Sequence, residues 1–294
     1  MRVFLTSPWI PAEWVKAHGL EPRDIWSVEN VRSSAPLSAG VCAFAERVVR
    51  FAEAGPADAV IFTTACDQLR RGFDATAFHG QSLAFLFNLQ ATQTPAAKQI
   101  YRAELERLGQ FLVELGGSAP TPEVLRREML QADAVRRRLR ESSSNPPWSQ
   151  VPLALVGGPL CDSHRQIPGA IEAAGGQVVL NGSENGERSL CVRFDLSTDA
   201  SPFDALVSGY FENITDVFQR PNTRLYSWLI PRLLSRRARG IILWLFTGCD
   251  LWRAELQTLR EVSGLPVLLL EADEAAGISA RDLNRLQAFV EMLN

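Results

Sequence analysis

Three times along this chain a short apolar run ends in a turn and then in the pair Cys-Asp. Ile61-Phe62-Thr63-Thr64-Ala65-Cys66-Asp67 leads into Gln68-Leu69-Arg70, and Leu245-Phe246-Thr247-Gly248-Cys249-Asp250 leads into Leu251-Trp252-Arg253. Leu155-Val156-Gly157-Gly158-Pro159-Leu160-Cys161-Asp162 is a looser copy. An unbroken apolar run of this length fits a strand buried on both faces. Strands are predicted at 59–62, 153–156, 177–180, 240–246 and 267–270, with helices at 167–174 and 254–262 between them. Strands alternating with helices predict an α/β fold built from βαβ units around parallel sheets, where sites collect at the carboxyl ends of the strands.

The stretch 141–152 is rich in Ser, Asn and Pro and breaks the helical periodicity before it. With 294 residues, at ~150 per domain, the chain divides near residue 150. The expected organisation is an N-terminal α/β domain over 1–150 and a C-terminal α/β domain over 151–294. Within the first, 95–140 is helical. Ile100, Tyr101, Leu105, Leu108, Phe111, Leu112 and Leu115 form one apolar stripe, Gly116-Gly117 stops that helix, and Thr121-Pro122 starts another. The pair is expected to pack as an antiparallel hairpin, and the run Arg136, Arg137, Arg138, Arg140 to form a solvated face.

Composition excludes several classes. A chain 46% hydrophobic and 21% charged is globular. A net charge of −3 argues against a nucleic-acid-binding surface. No apolar run approaches ~18 residues, so no membrane span is expected. The N-terminal stretch lacks a secretory pattern. Five cysteines, an odd number with no C-x-x-C among them, argue against a disulfide framework or zinc ribbon and for the reducing cytoplasm.

A cysteine between a strand's end and a helix sits at the helix N-terminus, where dipole and amides favour the thiolate that a metal or iron–sulfur cluster needs. The aspartate after it is expected to cap the helix. Cys42, near a helix start after Gly40, is available as a third ligand beside Cys66 and Cys249, and three thiolates suit a [4Fe–4S] cluster with one open iron. The opposing reading is that buried cysteines are small hydrophobes without chemistry. Cys191, in an apolar and strand-like stretch, is read as packing. Cys161 is an extra thiol or ligand. His18, His79 and His164 have no ligand spacing, and His164 is expected at the surface. Glu13 is assigned a structural role.

In order, Val41-Cys42, Thr64-Ala65-Cys66-Asp67-Gln68-Leu69-Arg70-Arg71 and Gly248-Cys249-Asp250 resemble the subunits of 2-hydroxyacyl-CoA dehydratases and benzoyl-CoA reductases, the 2-hydroxyglutaryl-CoA dehydratase D-component among them. Ile10-Pro11-Ala12-Glu13 with Ala17-His18-Gly19, the stretch from Ile171 to Val179, Leu270-Glu271-Ala272-Asp273 and the tail from Arg285 to Leu293 are similar to further parts of the family pattern, so the resemblance covers nearly the whole chain. It implies two Rossmann-like domains with a helical part. It also implies a [4Fe–4S] cluster held between the domains by Cys42, Cys66 and Cys249. The implied reaction is one-electron reduction of an acyl-CoA thioester to a ketyl radical. Implied partners are a related second subunit, in a homo- or heterodimer, and an ATP-dependent iron–sulfur activator. By the same resemblance Ser7 is a candidate for the substrate carbonyl, alongside turn formation, and Arg70 for a CoA phosphate, alongside a solvated helix position. The chain departs from the pattern in having no cysteine in Leu5-Thr6-Ser7-Pro8-Trp9 and none between 215 and 225. Two other functions are weighed beside this one: a non-catalytic electron-transfer or scaffold subunit, and a two-domain small-molecule-binding protein with inert cysteines.

Overall fold

The computed structural model describes residues 1–28, 41–55, 57–79, 82–142, 150–196, 201–272 and 278–294. The first half runs β1 (Arg2–Leu5), α1 (Ala12–Ala17), β2 (Glu21–Asp24), α2 (Ala43–Glu53), β3 (Ala59–Thr63), α3 (Asp67–His79), β4 (Leu83–Phe87), α4 (Pro95–Glu114) and α5 (Pro122–Ser142). The second runs β5 (Val151–Gly157), α6 (Gln166–Ala173), β6 (Gly176–Ser183), α7 (Pro202–Phe211), α8 (Thr223–Ser235), β7 (Gly240–Phe246), α9 (Asp250–Ser263), β8 (Val267–Ala272) and α10 (Ala280–Leu293).

The strands form two four-stranded sheets, ordered β2-β1-β3-β4 and β6-β5-β7-β8, parallel throughout. The α/β architecture with two parallel sheets is as expected. The two orders are the same, so β3 and β7 are equivalent, and they lead into the two closely matched Cys-Asp turns, the looser copy following β5. Both faces of each sheet are covered, which is why the strand runs are apolar without alternation. Val3, Leu5, Ile61, Phe85 and Phe87 face α1, α4 and α7, while Phe4, Val60 and Phe62 face α2 and α3. In the second sheet Val156, Ile241, Leu243 and Leu245 face α8 and α9, while Leu153, Leu155, Ile242 and Trp244 face α6 and α10.

Three strands escape the apolar-run criterion. β1 is four residues long, β2 is the edge sequence Glu-Pro-Arg-Asp, and β4 is followed through its pairing with β3. Proline is tolerated in β2 because the strand lies at the sheet edge. Cys191 ends a short 3-10 helix, Glu187–Cys191, and not a strand; the turn that follows β6 leaves no neighbouring strand for it to pair with.

The helical layer differs from the expectation: α4 and α5 pack mainly on α1 and α7 and not on each other as an antiparallel hairpin. Tyr101, Leu105, Leu108, Leu112 and Leu115 are buried as the stripe requires, but Ile100 is 47% exposed. The basic run is not one solvated face. Arg137 and Arg138 are exposed, whereas Arg136, four residues before Arg140, turns inward to the buried Glu13 and to the Tyr210 hydroxyl at 2.8 Å. Tyr210 Oη in turn donates to Glu13 at 2.5 Å. Glu13 is therefore structural: it ties α1 to α5 and α7. Although α7 follows the second half's β6 in sequence, Ala205, Leu206, Tyr210 and Phe211 join the core of the first half, beside Tyr101 and Leu105 of α4.

Candidate functional site

A cavity of about 330 Å³ opens between the carboxyl ends of the two sheets. Cys42, Cys66 and Cys249 all line it. Each occupies the same local position, the N-cap of a helix. Cys42 caps α2, its thiol accepting the Ala45 N–H at 3.4 Å. Cys66 precedes α3, with the Leu69 N–H at 3.5 Å from its sulfur and the Arg70 N–H on its carbonyl. Cys249 is the N-cap residue of α9, with no side-chain capping bond, and its carbonyl accepts the Arg253 N–H at 3.1 Å. The aspartates were expected to cap; instead Asp67 and Asp250 fall inside the first turn, where a carboxylate still complements the helix dipole. N-caps are ordinarily Ser, Thr, Asp or Asn, and sulfur is a weak acceptor, so capping does not explain three cysteines.

The three turns are held against one another. Cys42 N–H donates to Gln68 Oε1 at 3.0 Å, and Ala43 N–H donates to the Thr247 carbonyl at 3.1 Å, which joins the start of α2 to both Cys-Asp turns. Gly248 has φ +84°, and a Cβ there would stand 3.1 Å from Cys42 Cα. Only glycine gives both the left-handed turn and the close approach.

The thiols differ from the expectation in their protonation. Helix amides do favour the thiolates, but desolvation is the larger effect. Burial raises Cys42, with the Asp250 and Glu46 charges adding to it, and pushes Cys66 and Cys249 each up to about 12, where neighbouring cysteines add repulsion. Without a bound cation all three are thiols at neutral pH. Among the described residues no group of three or more His, Cys, Asp or Glu side chains is arranged to hold a metal ion.

Glu184, just past β6, also lines the cavity. Burial, with the Asp216 charge added and the Arg188 charge opposing, pushes its carboxyl up to about 8. Beneath it Arg188 is fully buried and donates to the carbonyls of Gly182 at 2.8 Å, Thr215 at 3.1 Å and Gly157 at 2.6 Å, and to Asp216 Oδ2 at 2.8 Å. Asp216 also accepts the Trp9 indole N–H at 3.3 Å. The sequence reading did not single out Glu184, Arg188 or Asp216. The signal for Glu184 was present, since Ser183-Glu184-Asn185 is polar and follows a buried strand at its carboxyl end.

Ser7 lines the cavity, with its Oγ accepting the Trp9 N–H at 3.3 Å. Thr6 is turned away and bonds the Ile61 carbonyl at 2.9 Å. Arg70 does not line the cavity; it is exposed and stands 3.5 Å from Asp67 on its own helix. Cys161 is buried in the core beside Phe246 and is not part of the cavity lining. Cys191 is half-buried elsewhere. His18 is buried with Nδ1 at 2.8 Å from the Trp14 carbonyl, and the side chain of His79 lies outside the described residues.

His164 is not at the surface. It is fully buried against Trp244 and Phe246, with ring centroids 4.7 and 5.2 Å away, because the short helix Asp162–His164 folds it back under β7. Burial, aided by the Arg47 charge, lowers its pKa from 6.5 to about 4. The folded protein thus binds this proton less readily than the unfolded chain. The stability from a neutral His164 is present above pH ~6.5 and is lost as the pH falls toward ~4. Melting temperature is expected to fall less over that window in His164→Phe than in the parent, measured by thermal unfolding at fixed ionic strength.

The sequence matches the family described as 2-hydroxyglutaryl-CoA dehydratase, D-component, over residues 10–147 and 147–293. No curated protein matches the chain. Among solved structures it is similar to the SBP FpvC from Pseudomonas aeruginosa in complex with Mn2+, at 14% identity over 100% of this chain and 98% of that one, TM-score 0.27. It is also similar to the laminin-binding protein Lbp of Streptococcus pyogenes, at 10% identity over 100% and 98%, TM-score 0.26. Superpositions this loose say nothing about what this chain binds. No helix among the described residues is long and apolar enough to cross a membrane.

Proposed function

Because the chain belongs to the 2-hydroxyglutaryl-CoA dehydratase D-component family, we propose that it is the iron–sulfur subunit of a 2-hydroxyacyl-CoA dehydratase or related acyl-CoA reductase. In this reading Cys42, Cys66 and Cys249 hold a [4Fe–4S] cluster. The observation that carries it is the convergence of three N-cap cysteines, from two sheets, on one cavity. Soft thiolates are the donors such clusters take, and a cluster is gripped at separate corners rather than by convergence on one ion. With three thiolates as ligands, one iron would be left for a substrate atom. When bound, the group supplies a low-potential electron and a Lewis-acidic site for a thioester carbonyl.

The chain's own residues then have defined tasks. The three thiols must lose their protons on loading; the Ala45 and Leu69 amides donate to two of the sulfurs, and Cys249 stands at the N-terminus of α9, where the helix dipole favours negative charge. Phe44, Phe246, Leu251 and Trp252 line the cavity and limit water around it. Glu184 keeps its proton near neutral pH, as a group that assists a departing hydroxyl must. Ser7, which lines the same cavity, would meet a substrate oxygen in this reading. A second, related subunit and an ATP-dependent activator complete the system in this reading, with an acyl-CoA as substrate and the cytoplasm as its compartment.

The test is anaerobic purification and reconstitution followed by iron and sulfide analysis. About four irons and four sulfides per chain, with absorption near ~400 nm that bleaches with dithionite, are expected. A protein that takes up no iron under these conditions would sink the reading.

A further inference from the structure

On the far side of the Arg188–Asp216 pair lies a second concavity, of about 570 Å³. Arg140 of α5, Arg193, and Arg224, Arg232 and Arg236 of α8 and its C-cap line it. It holds two carboxylates, and both are engaged. Glu187 takes Arg236 through two hydrogen bonds of 2.6 Å, and Glu212 takes Lys98 at 2.6 Å. Arg140 donates to the Leu190 carbonyl at 2.7 Å, and Arg232 to the Trp228 carbonyl at 2.8 Å. Among the described residues no carboxylate pairs with Arg193, Arg224 or Arg232.

Arg232 and Arg236, in the last turn and C-cap of α8, complement the helix dipole, but Arg224 does not. Arg224, Trp228, Arg232 and Arg236 recur every four residues and so share one face. Arg224 sits in the first turn, at the positive end of the dipole, where a cation is unfavourable. Arg193 is exposed and Arg224 and Arg232 are half-buried, so guanidinium groups without a carboxylate partner raise a positive potential over the concavity. Their forked donors match the oxygens of phosphate two at a time.

We propose that this cavity is a binding site for a compact polyanion of the pyrophosphate class, either free or as the phosphate chain of a small organic molecule. Cys42, Cys66 and Cys249 take no part in its lining, so the site stands or falls independently of the iron reading.

The experiment is titration calorimetry of the full chain with inorganic pyrophosphate and with ADP, at neutral pH and about 50 mM salt. Sub-millimolar binding of pyrophosphate is expected, weakening steeply as salt is raised about fourfold. Arg224→Gln is expected to weaken it about ten- to a hundredfold, the scale of a charge-assisted contact. The pair Arg193→Gln with Arg224→Gln should abolish it. Arg285→Gln, on the exposed side of α10, should leave it unchanged. Because Arg224 opposes the dipole, its variant is not expected to unfold earlier than the parent. ADP binding much tighter than pyrophosphate identifies an organic phosphate as ligand, and equal binding identifies the phosphate chain alone; both support the site. The proposal is overturned if the parent binds no pyrophosphate up to about 10 mM, or if the folded double variant binds it as tightly as the parent.

Discussion

Cys66→Ala and Cys249→Ala are each expected to lower the iron of the reconstituted protein from about four atoms per chain to less than one. The same substitution at Cys191 should leave it unchanged, because Cys191 lies away from the cavity. The N-cap position makes the comparison sharp. Removing a cap costs about 1 kcal/mol of stability at most sites, and less where the acceptor is sulfur. Cys66→Ala should therefore stay folded while losing iron. Cys66→Ser separates the two roles further. A hydroxyl is a better cap than a thiol, so this variant should be at least as stable as the parent before loading, yet bind no cluster. Metal analysis read beside a urea melt gives both quantities. If Cys66→Ser retained four irons, the ligand assignment would be wrong whatever the family.

Arg188→Met is expected to produce the largest loss of stability, about 3–5 kcal/mol, as for a buried ion pair with one partner removed. The guanidinium satisfies three carbonyls and one carboxylate and lies 4.8 Å from the centre of the Trp252 ring. Methionine fills much of the volume but donates nothing, so Asp216 keeps a buried charge without its counter-ion. Replacing both, as Arg188→Met with Asp216→Leu, should recover part of the loss, since the orphaned charge goes too. The urea midpoint is the measurement. A double variant no better than Arg188→Met would show that the three carbonyl contacts, and not the ion pair, dominate.

What was legible in the sequence follows burial. β7 was read at its observed limits because all seven residues are buried between two helical layers. β2 was invisible because an edge strand needs neither apolar side chains nor a full ladder of donors. The two Cys-Asp turns were legible as a pair, and the shared strand order explains why they face the same cavity. The protonation of the thiols was not legible. Local sequence shows the helix N-terminus that lowers a thiol's pKa, but the desolvation that raises it comes from residues distant in the chain, such as Phe246 beside Cys42. His164 was misjudged for a related reason: three residues of 3-10 helix redirect it, and no periodicity announces so short an element. Arg136 and Arg140 share a helix face that the run of four arginines obscured.

The placement of α7 bears on how the chain is made. The core of the first half includes Leu206, Tyr210 and Phe211, which leave the ribosome only after all of β5 and β6. Synthesis proceeds at about 5–20 residues per second, so α1 and α4 emerge with their shared apolar face uncovered for some seconds. During that interval Trp14, Tyr101 and Leu105 have no α7 to pack on. The packing around the N-terminal sheet therefore cannot be completed vectorially, and this apolar face stays uncovered until residue 211 is out.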